Sequence, residues 1–110
     1  MDFEFSDEQE ELRATGRRFL ADQAPIAYVR DMLDDKRGTT DDVWKGLADL
    51  GVTGLLAADE HGGAGMGMVD MAVVLEELGR AVHPGPFASS AVSATSLVAL
   101  AGDDADRAAL

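Results

Sequence analysis

Between Trp44 and Arg80 the chain sets two helical repeats on either side of a glycine-rich turn, and this pattern restricts the fold more than any other. In the first repeat Val43, Trp44, Leu47 and Leu50 share one helical face, and Gly51 stands where a left-handed residue would end the helix. Gly62-Gly63-Ala64-Gly65-Met66-Gly67 then forms a tight turn. The second repeat runs from Val69 to Val82 and places Ala72, Leu75, Leu78 and Val82 inward. Gly79 inside it costs about 1 kcal/mol relative to alanine, and the expected compensation is close approach of a neighbouring helix. The segment 52–58 between the repeats is apolar but short and interrupted by Gly54, so it reads as a buried connector and not as a strand.

The rest of the chain is also helical in period. Ser6 is a good N-cap, with Gln9 placed to complete a capping box and Asp7, Glu8, Glu10 and Glu11 favouring the positive end of the helix. Phe5, Leu12 and Phe19 follow at sevenfold spacing, and Leu20 widens the stripe. Pro25 opens a second helix with Ile26, Val29 and Leu33 on one face, and Asp34-Asp35-Lys36-Arg37-Gly38 is a solvated turn. Thr39 or Thr40 is the expected cap of the third helix. Pro84 and Pro86 end the fourth and permit a fifth from Phe87 to Ala101, small-sided almost all round through Ala88, Ser89, Ser90, Ala91, Ser93, Ala94, Thr95 and Ser96. Asp103 or Asp104 then caps a helix that has barely begun at Leu110, so the chain reads as interrupted there. With no alternating segment of useful length, the fold class is all-α, an orthogonal or up-down helical bundle of about five to six helices.

At 110 residues the chain makes one domain at most. Its net charge of -12, with only 9 Lys and Arg, argues against nucleic-acid binding and against a basic membrane-binding face. The run from His83 to Gly102 is broken by two prolines and five hydroxyl residues, which argues against membrane insertion. The absence of cysteine rules out disulfides and thiolate chemistry, and with the acidic start Met1-Asp2-Phe3-Glu4 it fits a cytoplasmic protein.

Chemistry-bearing motifs are sparse. A dinucleotide fingerprint counted from Gly63 would need glycine at Met68, and one from Gly65 would need it at Asp70; no P-loop lysine follows either. His61 and His83 have no second ligand at i+3 or i+4, which speaks against a metal site. Asp59-Glu60-His61 reads as a solvent-facing loop, and Met66, Met68 and Met71 read as fillers of core gaps. Glu76 and Glu77 sit in an apolar helix, where burial could raise a carboxyl toward general-base work; a surface pairing with Arg80 is the favoured reading. No catalytic, cofactor-binding or metal residue emerges from the residues alone.

Taken in order, Phe5-Ser6-Asp7-Glu8-Gln9, Trp44 to Leu56, Gly62 to Gly67, Glu76-Glu77-Leu78-Gly79-Arg80 and Ala101-Gly102-Asp103-Asp104 resemble the N-terminal helical domain of the flavin-dependent acyl-CoA dehydrogenases. The resemblance implies that residues 1–110 are that domain, with a middle β-domain and a C-terminal helical domain absent from this chain. It implies a parent oxidoreductase that removes hydrogens from Cα and Cβ of an acyl-CoA, uses FAD and passes electrons to an electron-transfer flavoprotein or similar acceptor. It also implies a homo- or hetero-oligomer of dehydrogenase subunits. The parent's catalytic glutamate and most flavin contacts would lie beyond position 110. By the same resemblance the fifth helix faces the acyl chain, with Ser89, Ser93 and Leu97 as substrate-binding positions; side chains this small suit a branched or ring-bearing acyl group. The alternative for the serines is back-bonding to their own helix or packing against a neighbour. The alternative for the whole chain is a non-catalytic helical binding module, or a shortened subunit that completes a partner's acyl-CoA site.

Overall fold

The structure is a computed structural model that describes residues 3–109. It is all-α: α1 (Asp7–Gln23), α2 (Ile26–Met32), α3 (Asp41–Asp49), α4 (Met68–Arg80), α5 (Thr95–Ala101) and α6 (Asp104–Ala109). A single 3₁₀ turn spans Asp59–His61, and a π-helical segment over Ala88–Ala94 runs directly into α5. No strand occurs among the described residues, and 52–58 is a connector that buries Val52 and Leu55, as its length and Gly54 suggest.

The two longest helices, α1 and α4, pack against each other and are joined at their starts. The Ser6 hydroxyl accepts the Gln9 N–H (3.1 Å), and the Ser6 N–H donates to the Gln9 side chain (2.9 Å), completing the expected capping box. Gln9 Nε2 then donates to Asp70 Oδ1 (3.0 Å), while Asp70 Oδ2 accepts the Gly67 N–H (3.0 Å) at the head of α4. The Gln9 amide, helped by the Gly67 N–H, holds the Asp70 carboxyl below the usual carboxylate range. The core between these helices and α3 is aliphatic, with Leu20, Leu47, Val74 and Leu78 in one cluster with the fully buried Met71, and Trp44 meets Phe87 edge-on at 6.4 Å. Met66 and Met68 do not fill core gaps; both are exposed, Met66 on the glycine loop and Met68 at the start of α4.

Helix ends follow backbone geometry more than residue type. After α3, Gly51 is left-handed (φ 84°), its N–H bonding Ala48 O (2.9 Å) and the Val52 N–H bonding Leu47 O (3.3 Å). That is a Schellman closure with the glycine where the sequence places it. After α4 the same closure recurs with Val82 at the left-handed position (φ 53°): Val82 N–H bonds Gly79 O (3.1 Å) and His83 N–H bonds Leu78 O (2.9 Å). Thus α4 ends at Arg80, and Val82 points outward instead of inward. A β-branched residue in this conformation is strained. The buried positions of α4 are Met71, Val73, Val74, Glu77 and Leu78, with Ala72 exposed. Gly79 faces open space, since a Cβ there would meet nothing within 4 Å, so no close helix accounts for it.

Thr40 is the N-cap residue of α3, but its hydroxyl makes no capping bond. The Thr40 N–H instead donates to the Tyr28 phenol oxygen (3.0 Å), reaching back to α2. At α6, Asp103 and Asp106 cap reciprocally: Asp106 N–H to Asp103 Oδ1 (2.8 Å), Asp103 N–H to Asp106 Oδ2 (3.1 Å).

Candidate functional site

The helix that begins at Phe87 presents two faces at fourfold spacing. Phe87, Ala91 and Thr95 are buried against the bundle, and Ser89, Ser93 and Leu97 stand exposed on the other side, Leu97 at 66%. The three residues expected to meet substrate therefore share one outward, small-sided wall. Packing against a helix of this chain does not explain Ser93, which is exposed. Back-bonding does occur at Ser89, whose hydroxyl donates to Pro86 O (3.2 Å). Leu100, at the far end of α5, is also exposed and continues the apolar part of the surface.

Glu77 is not a surface residue. It is 2% exposed, its Oε1 accepting from Arg17 Nη2 (2.8 Å) and Arg13 Nη1 (3.0 Å) and its Oε2 from Arg17 Nε (3.0 Å). Glu76 bonds Arg13 as well (3.0 Å), so the expected Glu76–Arg80 pair is replaced by a clamp from α4 to α1. Arg17, then Arg13, hold the Glu77 carboxyl below the usual carboxylate range against the opposing effect of burial. A carboxyl kept this firmly ionised is a structural anion and a poor general base. The sequence signal for this clamp was the i, i+4 spacing of Arg13 and Arg17 on one face of α1.

The glycine loop closes on itself. In succession the amides of His61, Gly62, Gly63, Ala64, Gly65 and Met66 donate to Ala58 O, Asp59 O, Ala58 O, Gly54 O, Ala57 O and Leu55 O, at 2.8–3.1 Å. The next amide, Gly67, is held by Asp70. A phosphate cradle needs amides that point outward and unpaired, and this loop has committed them all. The glycine loop therefore offers no free amides to a pyrophosphate. Among the described residues no group of three or more His, Cys, Asp or Glu is gathered to hold a metal ion, and no helix is long and apolar enough to cross a membrane.

His83 lines an open groove of about 560 Å³ with Val29, Leu33, Leu75, Leu78 and Phe87, and no charged residue contributes to its walls. Its ring stacks on Tyr28 (6.4 Å, 11°), and both ring nitrogens are buried without a hydrogen-bond partner among the described residues. Burial pushes the imidazole below its ordinary pKa of 6.5. The unfolded chain therefore takes up the proton first, and stability is expected to fall as pH drops below about 6.5 and to level off below the lowered folded value. Urea midpoints measured from about pH 8 to pH 5 should show this slope in the wild type and lose it in His83→Phe, which keeps the stack on Tyr28. Equal slopes in the two proteins would show that His83 is not the group responsible.

The bundle, its capped first helix and its self-closed glycine loop define an all-α helical domain. The chain belongs to the acyl-CoA dehydrogenase family, residues 6–110 matching the family's acyl-CoA dehydrogenase N-terminal domain. It is 35% identical over 100 residues to acyl-CoA dehydrogenase IpdE2 of Mycobacterium tuberculosis, covering 90% of this chain and 31% of that protein. It is 38% identical over 77 residues to the mitochondrial isovaleryl-CoA dehydrogenase of Pongo abelii, covering 69% of this chain and 18% of that protein. Among solved structures it superimposes on a variant of the Tcur3481-Tcur3483 steroid ACAD with a TM-score of 0.83 and 31% identity, over 92% of this chain and 28% of that one. The ChsE4-ChsE5 complex of Mycobacterium tuberculosis shares the fold (TM-score 0.80, 23% identity), over 91% of this chain and 28% of that one. The chain thus spans under a third of the length of these relatives.

Proposed function

We propose that residues 1–110 are the N-terminal helical domain of an FAD-dependent acyl-CoA dehydrogenase, and that the wall bearing Ser89, Ser93 and Leu97 lines its acyl pocket. The observation that carries this reading is the wall itself: small side chains and an exposed leucine on the face of the helix that the bundle does not cover, in a chain of this family. The middle β-domain, the C-terminal helical domain, the α-proton base and the flavin contacts would be supplied by residues outside this chain. In that parent the partners would be an acyl-CoA, an electron-transfer flavoprotein or similar acceptor, and further dehydrogenase subunits.

What these residues contribute is shape and exclusion of water. An exposed apolar surface such as Leu97 with Leu100 is stable when covered, and an acyl chain covers it while displacing solvent from the reacting carbons. Serine and alanine side chains leave room beside that chain. The preferred acyl group is therefore branched or ring-bearing, and the similarity to a protein described as a steroid ACAD supports the same choice.

In the full-length protein, Ser93→Leu is expected to lower kcat/KM for a ring-bearing acyl-CoA by about tenfold, the scale of a modest steric misfit in a pocket. Turnover of a slim straight-chain acyl-CoA should change little. Equal losses on both substrates would remove Ser93 from the acyl wall.

A further inference from the structure

The serine wall lies on a helix that changes register, π over Ala88–Ala94 and α from Thr95 onward. In an α-helix each step of four residues turns the side chain by about 40°, so three such positions wrap round the axis by about 80°. Over Ala88–Ala94 the backbone takes the wider π register, with bonds reaching five residues back, so the step from Ser89 to Ser93 falls short of a full turn while the step from Ser93 into α5 at Leu97 overshoots it, and the two deviations offset. Phe87, Ala91 and Thr95 are buried against the bundle, while Ser89, Ser93 and Leu97 are exposed.

A π segment of seven residues is unusual, because such turns mostly occur singly and often at functional sites. This one has a specific lock at its C-terminal end. The Thr95 N–H bonds Ser90 O, five residues back, and the Thr95 hydroxyl donates to the same carbonyl at 3.2 Å. A helical threonine ordinarily bonds the carbonyl three or four residues back, which would favour the α register. Thr95 is only 6% exposed and lies on the face opposite the serines, so it cannot touch anything lying along their wall.

We infer that Thr95 is a specificity-determining positioning residue: its hydroxyl holds the π register that aligns Ser89, Ser93 and Leu97 along the acyl group. The inference rests on the acyl-wall reading of the preceding section. Without the hydroxyl, the segment relaxes toward the α register and the outward side chains rotate out of file. A wide, rigid acyl group senses that rotation more than a slim flexible one.

The test is steady-state kinetics of the full-length protein carrying Thr95→Val, Thr95→Ser or Ser93→Leu, each with a ring-bearing and a straight-chain acyl-CoA. Thr95→Val is expected to raise KM for the ring-bearing substrate about three- to tenfold, the scale of one hydrogen bond, with kcat and the straight-chain substrate little changed. Thr95→Ser, which keeps the hydroxyl, should restore the wild-type preference. If Thr95→Val does not fold, Thr95→Ala carries the same expectation. An unchanged preference in the hydroxyl-less variant, equal losses on both substrates, or a Thr95→Ser protein that behaves like Thr95→Val would each overturn the inference. If Ser93→Leu also leaves the preference unchanged, the acyl-wall reading itself fails; if Ser93→Leu shifts it and Thr95→Val does not, only the role of Thr95 fails.

Discussion

Glu77→Ala is expected to destabilise the chain by about 3 kcal/mol, the lower end of the cost of removing one partner from a buried ion pair. The carboxylate is nearly inaccessible to water and receives three charge-assisted hydrogen bonds, two of them from Arg17 as a fork. Its loss leaves the two guanidinium groups unequally stranded. Arg17 is 49% exposed and can turn to water, whereas Arg13 is largely covered and keeps Glu76, the longer contact to Glu10 (3.6 Å) and the face of the Phe5 ring (5.2 Å). That residual pairing is why the upper end of the range is not reached. The effect should also depend on pH with a definite sign. Because the folded carboxyl titrates below its ordinary value of 4.5, the stabilisation is complete above that value and disappears as pH falls through the lowered one. Urea unfolding followed by circular dichroism, at neutral pH and again in acid, measures both. A neutral-pH loss under about 1 kcal/mol would mean that the clamp behaves as an ordinary surface pair.

Gly63→Ala should be comparably damaging, by about 2–3 kcal/mol, because the added methyl is an overpacking defect against backbone. A Cβ at this position would overlap the carbonyl oxygen and carbon of Ala57, and neither can rotate away as a side-chain tip could. Ala57 O is also the acceptor for the Gly65 N–H (2.8 Å), so moving it disturbs the bond that closes the loop. Gly67→Ala is the matched comparison: its φ is -101°, and the nearest atom to an added Cβ is Asp70 Oδ2 at 3.8 Å. That variant should lie within about 0.5 kcal/mol of wild type. Equal urea midpoints for the two alanine variants would show that the loop does not close on Ala57 as described.

Local chemistry made much of this fold legible. The Ser6–Gln9 capping box and the glycine closing α3 both act within a few residues of themselves, and both stand where the residue types place them. The errors fall where a distant partner or a strained backbone decides. Glu77 reads as a surface residue until Arg13 and Arg17 are brought in from 60 or more residues away. Once it is buried, the inward face of α4 rotates onto Met71 and Val74 and away from Ala72 and Val82. Nothing in Val82 announces a left-handed residue, since that position ordinarily selects glycine. The outward wall at Ser89, Ser93 and Leu97 was reached through family resemblance alone. Its π register was hidden, because small residues spaced by four satisfy either kind of helix.

The Tyr28 phenol that holds the Thr40 amide has a consequence for how α3 comes into being. A helix capped by its own threonine can start forming as soon as those residues exist; this one borrows its first fastening from α2. A peptide covering Thr39 to Gly51 contains every residue of α3 but not the phenol that binds the amide at its beginning.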